Sequence, residues 1–184
     1  MPRILRDVLL VAGGALLTGV AAQVAFTVPW TQVPYTLQTG AVLLVGTALG
    51  SWRGGASMMV YVLAGAVGLP AFAGGRSGLE GAAGGITPTI GYLMAFVLAA
   101  AMVGWLAERR WDRSPLGAAG LMLLGNLVIY AVGVPFLAVV LGLPLVTAAW
   151  EGAAVFVPWD VAKVALAAGI LPLAWRLAGE GRRD

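Results

Sequence analysis

Six apolar runs, at 8–28, 39–49, 55–69, 90–107, 116–141 and 155–177, follow one another along this chain, and its arginines are confined almost wholly to the gaps between them. The first five runs hold no Asp, Glu, Lys or Arg. About 20 apolar residues cross the hydrocarbon core of a bilayer, and a charge at its centre costs about 2.5–3.5 kcal/mol on insertion scales. A chain built to cross a membrane repeatedly must look like this one. The runs 39–49 and 55–69 are short for a crossing unless the loops that flank them start inside the membrane boundary. In the first run Val20-Ala21-Ala22 resembles a signal-peptidase site, but the sequence opens at Met1 and the run is expected to be retained as a span.

The 184 residues are 60% hydrophobic and 10% charged, against about 25% charged in soluble domains. They are therefore expected to form an all-α polytopic membrane protein, a single six-transmembrane-helix bundle over residues 1–184. The chain is too short for the two-half repeat design of large secondary transporters. With six crossings and both termini in the cytoplasm, the cytoplasmic segments hold Arg3, Arg6, Arg53, Arg109, Arg110, Arg113, Arg176, Arg182 and Arg183, and the outer loops hold only Arg76. Nine against one satisfies the positive-inside rule. It also explains the net charge of +3 without a nucleic-acid partner.

Several activities are excluded by composition. The absence of cysteine rules out disulfides, iron–sulfur clusters and thiol chemistry, and the absence of histidine removes the commonest metal ligand and general base. Four Asp and four Glu lie mostly near the ends of segments, so no carboxylate cluster suggests a metal site and no cofactor is expected. There is no GxxxxGK[ST] run to hydrolyse ATP. An intramembrane enzyme would lack an evident nucleophile–base pair.

The strongest polar signal is Phe156-Val157-Pro158-Trp159-Asp160-Val161-Ala162-Lys163, which places the chain's only lysine and a carboxylate in an apolar run. With Pro158 at the first helical position, Asp160 falls in the first turn near the positive end of the dipole. Lys163 follows three residues later on the same face. The two form a self-neutralising pair in a well-started helix, or they face a cavity and meet a polar ligand there. Intramembrane ionisable groups are functional candidates by default.

Three other stretches stand out. The connection Pro29 to Gln38, with Thr39 after it, is expected to be irregular and carries Thr31, Gln32, Tyr35, Thr36 and Gln38 as hydrogen-bonding groups. Gly68 to Tyr92 is too rich in glycine and proline for a helix and too apolar for a solvated linker, as expected of backbone that lines a cavity. The run 116–141 carries Asn126 and Tyr130 as buried polar groups and Pro135 as an expected kink or break. In the first run Gly14, Thr18 and Ala22, and Ala15 and Gly19, make a small-xxx-small pattern that marks either a subunit contact or internal packing. The arginine placement brings the 29–39 connection, the glycine-rich stretch and the start of the sixth helix to the outer face, where they are expected to form a pocket open to the outside.

Val33-Pro34-Tyr35-Thr36-Leu37-Gln38-Thr39, the stretch from Tyr61 to Gly65 into Gly68-Leu69-Pro70-Ala71-Phe72-Ala73-Gly74-Gly75, Thr87-Pro88-Thr89-Ile90-Gly91-Tyr92, and Pro158-Trp159-Asp160-Val161-Ala162-Lys163 together resemble the BioY family, the biotin-specific substrate-binding subunits of energy-coupling factor (ECF) vitamin transporters. The stretches occur in the family's order, and the resemblance covers about 8–177. It implies six transmembrane helices in the cytoplasmic membrane, a biotin pocket at the outer face, and partnership with a transmembrane coupling subunit and two ABC-type ATPases. It also implies that small residues of the first helix, Gly14, Ala15, Thr18, Gly19 and Ala22, meet that coupling subunit. Ala71 departs from the branched apolar residue of many relatives, with a minor change in pocket shape as the consequence.

On this resemblance Asp160 would accept from biotin's ureido N–H groups and Lys163 would donate to the ureido oxygen. Tyr35, Phe72, Tyr92 and Trp159 would wall the bicyclic ring. Gln38, Gly74, Gly75, Thr89 and Asn126 complete the candidate site, and Arg76 would meet the valerate carboxylate. The opposite pose, with the carboxylate on Lys163, brings it against Asp160. An alternative function is a self-sufficient small biotin transporter, in which the pair would serve proton or ion coupling, possible as a homo-oligomer.

Overall fold

The computed structural model describes residues 2–81 and 85–180. Residues 82–84 of the glycine-rich stretch and the tail 181–184, with Arg182 and Arg183, lie outside the described residues. The chain is mostly helical, in the order α1 (Arg3–Gln23), α2 (Gln38–Ala66), α3 (Ile90–Glu108), α4 (Pro115–Leu141), α5 (Leu145–Gly152) and α6 (Val157–Glu180).

The first helix begins earlier and ends earlier than the run 8–28. After Gln23 the sequence turns β-branched and aromatic, and Pro29 and Pro34 forbid helix. Strand β1 (Ala25–Phe26) pairs antiparallel with β2 (Tyr35–Thr36), Ala25 opposite Thr36 and Phe26 opposite Tyr35. The connection expected to be irregular is thus a small ribbon, the one sheet of an otherwise helical bundle among the described residues.

The two short runs 39–49 and 55–69 emerge as the arms of α2. The arms meet at Gly50, whose φ of 81° and ψ of 177° leave the helix. Residues 51–54, expected to be a linker, are helical, and the second arm stops at Ala66. The arms fold back on each other: Gln38 Nε2 donates to Tyr61 Oη at 2.8 Å, and a Cβ at Gly54 would stand 2.7 Å from Gly46 Cα. Gly46 also faces α3, where a Cβ would lie 2.6 Å from Val103 Cγ2. Missing side chains let three helical segments approach backbone to backbone, as in other membrane bundles.

The small residues of α1 serve the same purpose. Gly14, Ala15, Thr18 and Ala22 are buried; a Cβ at Gly14 would meet Ser57 Oγ at 2.6 Å, and Thr18 Oγ1 donates to Gly14 O at 3.0 Å beside Met58 Sδ. Gly19 is half-buried beside Tyr61. Of the two roles open to this stripe, internal packing is visible at Gly14 and Thr18, which meet Ser57 and Met58 of α2.

Helix α4 starts on Pro115 with Ser114 Oγ accepting from Gly117 N at 3.1 Å and ends at Gly142 in the left-handed conformation. It runs through Pro135 without the expected break, because packed neighbours can re-satisfy the carbonyl that proline leaves free. Residues 142–152, expected only to lead into the sixth span, contain α5. Pro158 occupies the second position of α6, and Asp160 stays in its first turn.

Four stretches are long and apolar enough to cross a membrane: α1, α3, α4 and the continuous segment Leu145–Leu177. Val42, Leu43, Met58, Tyr61, Val103, Leu121, Ile129 and Leu137 form the buried centre. The outside is apolar as well. Leu16, Val20, Met94, Leu98, Leu127, Val139, Leu166 and Ile170 are each more than half exposed, far more contiguous apolar surface than a protein in water tolerates.

Candidate functional site

The first turn of α6 carries the site. Asp160 is 6% exposed. Lys163 Nζ lies 3.1 Å from Asp160 Oδ1 and donates to Thr39 Oγ1 at 2.6 Å, while Tyr130 Oη donates to Asp160 Oδ2. Four side chains from α2, α4 and α6 thus close on one carboxylate and one ammonium. The charges neutralise each other, which reduces the cost of holding them in a membrane bundle. They are not saturated. An ammonium has three donors, of which two are used, and each carboxylate oxygen keeps acceptor capacity beyond its single bond.

An aromatic cluster stands beside the pair. Tyr35 stacks on Phe26 with ring centroids 5.0 Å apart and on Phe156 at 4.4 Å, and Phe26 meets Trp159 edge-on at 6.1 Å. Hydrogen bonds fix these rings: Tyr35 Oη donates to Val155 O at 2.8 Å and Trp159 Nε1 to Thr36 O at 3.0 Å. The ribbon is thereby stapled to the start of α6. Lys163 Nζ lies 5.7 Å from the centroid of the Trp159 ring, within reach of a cation–π attraction.

On its other side Lys163 borders a cavity of about 280 Å³ between α1, α2, α4 and α6. Leu17, Leu37, Gly40, Leu44, Met122 and Ile170 line it with other small or apolar groups, and Asn126 and Lys163 are its only polar walls. The size sits at the lower end of small-molecule pockets. Gly40 forms the wall nearest the lysine stem, where a Cβ would stand in van der Waals contact with Lys163 Cδ at 3.5 Å.

Of the residues expected in a ligand site, Asp160, Lys163, Asn126, Tyr35 and Trp159 come together in this way. Gln38 is buried and bonded to Tyr61. Phe72 is buried too, its ring edge-on to Tyr61 at 5.8 Å in the space left by Gly65. Tyr92 donates to Gly152 O at 3.0 Å and so ties α3 to the end of α5. Gly74 and Gly75 form a 3-10 turn with φ of 66° and 76°. Thr89 stands at the start of α3, its hydroxyl 3.3 Å from that of Thr87. Arg76 is exposed and donates from Nε to Ala73 O of its own loop at 3.1 Å, not to the pair.

Tyr130 and Thr39 read from the sequence only as polar groups, and the fold brings both to the ion pair. The signal was available for Tyr130, which follows Asn126 by four residues and so shares its helix face. Phe26 and Phe156 carried no comparable signal, because an aromatic residue in an apolar run is indistinguishable from core packing.

An apolar exterior, four helices able to cross a bilayer, and an ion pair held under loops at one end define a multi-pass membrane protein with a built polar centre. The BioY family model matches residues 2–180, and the chain belongs to the BioY family. It is 36% identical to the biotin transporter BioY of Rhizobium etli over 143 residues, 74% of each chain. It is 37% identical to that of Rhodobacter capsulatus over 149 residues, 72% of this chain and 73% of the relative. The fold is similar to that of the S-component for biotin from an ECF-type ABC transporter, with a TM-score of 0.82 over 96% of this chain and 95% of that one at 22% identity.

Proposed function

We propose that this chain binds biotin and serves its uptake as the substrate-binding subunit of an ECF-type transporter, working with a transmembrane coupling subunit and two ABC-type ATPases. The observation that carries the reading is the Asp160–Lys163 pair, buried and neutralised yet left with one free ammonium donor and spare carboxylate lone pairs. Biotin's ureido ring presents N–H donors beside a carbonyl oxygen. Asp160 accepts from the first and Lys163 donates to the second, each a charge-assisted hydrogen bond. The aromatic cluster and the apolar cavity supply walls for the bicyclic ring, and the valerate points away toward the loops. In this reading the chain lies in the cytoplasmic membrane with six crossings, the two arms of α2 providing the second and third. Both termini face the cytoplasm, and the pocket faces outside.

Calorimetric titration of the detergent-purified chain tests the site, with biotin and biotin methyl ester as ligands and Asp160→Asn and Lys163→Ala beside the parent. The expected result is tight binding of both ligands by the parent and loss of both in each variant. Binding of biotin but not of its ester, abolished only by Lys163→Ala, would transfer the carboxylate to Lys163. No binding of biotin by the folded parent would sink the assignment.

A further inference from the structure

The end of the bundle opposite Asp160 holds a second polar site that biotin binding does not use. Between the α3–α4 connection and the last turns of α6 lies a cleft of about 360 Å³, lined by Arg110, Arg113, Pro172, Trp175 and Arg176. Three of its five walls are guanidinium groups. The floor is fixed by Asp112, which is 1% exposed and accepts from Trp175 Nε1. Arg113 is held in place twice over, its Nε 3.6 Å from Asp112 Oδ1 and its guanidinium carbon 3.5 Å above the centroid of the Trp175 ring. Arg110 enters with a φ of 69°, the only positive value at a non-glycine position among the described residues. This is the left-handed residue that commonly closes a helix, here just past α3 with its N–H bonded to Ala107 O at 2.8 Å, and it sets where the Arg110 side chain leaves the turn.

Asp112 is the one carboxylate bonded to these walls among the described residues, against three arginines. Glu108, the nearest acidic residue in sequence, is turned away and accepts from Ser51 N at 2.8 Å. The cleft therefore carries an excess positive charge in a rigid frame. It sits at headgroup depth: Arg176 follows Asp160 by 16 residues, roughly 24 Å at 1.5 Å per residue, close to the thickness of a hydrocarbon core. Trp111, Trp105 and Trp175 share this level, as interfacial indoles do. Planar guanidinium groups match the oxygens of a phosphate pairwise, and basic pockets between transmembrane helices suit anionic headgroups.

We propose that this cleft is a binding site for the phosphate of an anionic phospholipid in the leaflet at the arginine-rich end, with Arg110, Arg113 and Arg176 as its ligands and Trp175 as its floor. The bound lipid would hold α6 to the α3–α4 connection.

Native mass spectrometry of the full chain, released from micelles containing equal amounts of phosphatidylglycerol and phosphatidylcholine, tests this. A parallel arm adds inorganic phosphate without anionic lipid. The variant is Arg110→Gln with Arg176→Gln, which leaves the Asp112–Arg113–Trp175 frame intact, and biotin titration of the same sample reports whether it is folded. The parent should retain phosphatidylglycerol in preference to phosphatidylcholine. At about fivefold per arginine near the surface, the double variant should lose roughly 25-fold of that preference while still binding biotin. Equal retention of the two lipids by the parent overturns the proposal, as does a preference unchanged in the folded variant. Retention of inorganic phosphate without any lipid preference also overturns it, and would assign the cleft to a soluble anion.

Discussion

Lys163 has to satisfy two demands that pull apart: an ammonium in a membrane bundle needs partners, and a ligand site needs one of its donors free. The structure meets both by giving Nζ two acceptors, Asp160 Oδ1 and Thr39 Oγ1, and by letting Gly40 face the aliphatic stem. Tyr130 completes the arrangement from α4. Its hydroxyl engages Asp160 Oδ2 and aims the carboxylate. A hydrogen bond to a charged group contributes about 1.5–3 kcal/mol, so Tyr130→Phe is expected to weaken biotin binding by roughly tenfold or more. Calorimetry reads the affinity and thermal unfolding reads the fold. A lowered unfolding midpoint with unchanged affinity would reduce Tyr130 to a structural role. Gly40→Leu makes the complementary case, because its side chain fills the cavity beside Lys163: we expect a folded chain without measurable biotin binding. Retained affinity in that variant would place the ligand elsewhere.

Among the elements, α2 is the one whose conformation depends on a single residue. With ψ at 177° and φ at 81°, Gly50 occupies a region that is essentially restricted to glycine and costs other residues about 1–3 kcal/mol. A Cβ there would also lie 2.6 Å from Glu108 Oε1, the atom that accepts from Ser51 N. Gly50→Ala should therefore lower the thermal midpoint of the detergent-purified chain, with Gly120→Ala, where an added Cβ meets nothing within 4 Å, as the control for the gain of helix propensity alone. An unchanged midpoint in Gly50→Ala would mean that the turn relaxes without cost. Helix α6 makes the opposite point. It has apolar surface along most of its length but is anchored by polar contacts at both ends, Asp160 with Tyr130 at its start and Trp175 with Asp112 near its finish.

For the whole molecule, the division into a loop end and an arginine end sets the expected topology. Because the chain has no cysteine, single cysteines can be introduced and labelled without background. Ser77→Cys, in the loop beside Arg76, should react with a membrane-impermeant maleimide added to intact cells. Trp111→Cys should react only after permeabilisation. The reverse pattern would invert the orientation and move the binding site to the cytoplasm. Proteoliposomes holding the chain alone are expected to bind biotin without accumulating it, and to accumulate it once a coupling subunit and ATPases are added with ATP. Accumulation by the chain alone would favour the self-sufficient transporter.

The sequence by itself determined what depends on local composition. The apolar runs mark the helices that the bilayer requires, the Asp160–Lys163 spacing puts both charges on one face, and the glycines in the two short runs make close packing possible. Charge pairs of this kind are legible because a membrane segment makes every ionisable residue conspicuous. What only the tertiary structure decided are the matters of partnership. Thr39 and Tyr130 become members of the site because α2 and α4 bring them to α6 from 124 and 30 residues away in sequence. Gly14 and Thr18 face α2 because its arms fold back at Gly50 and offer Ser57 and Met58 to them. A stripe of small residues says that something packs closely. Which surface does so depends on where another helix ends up, and that is a property of the assembled bundle.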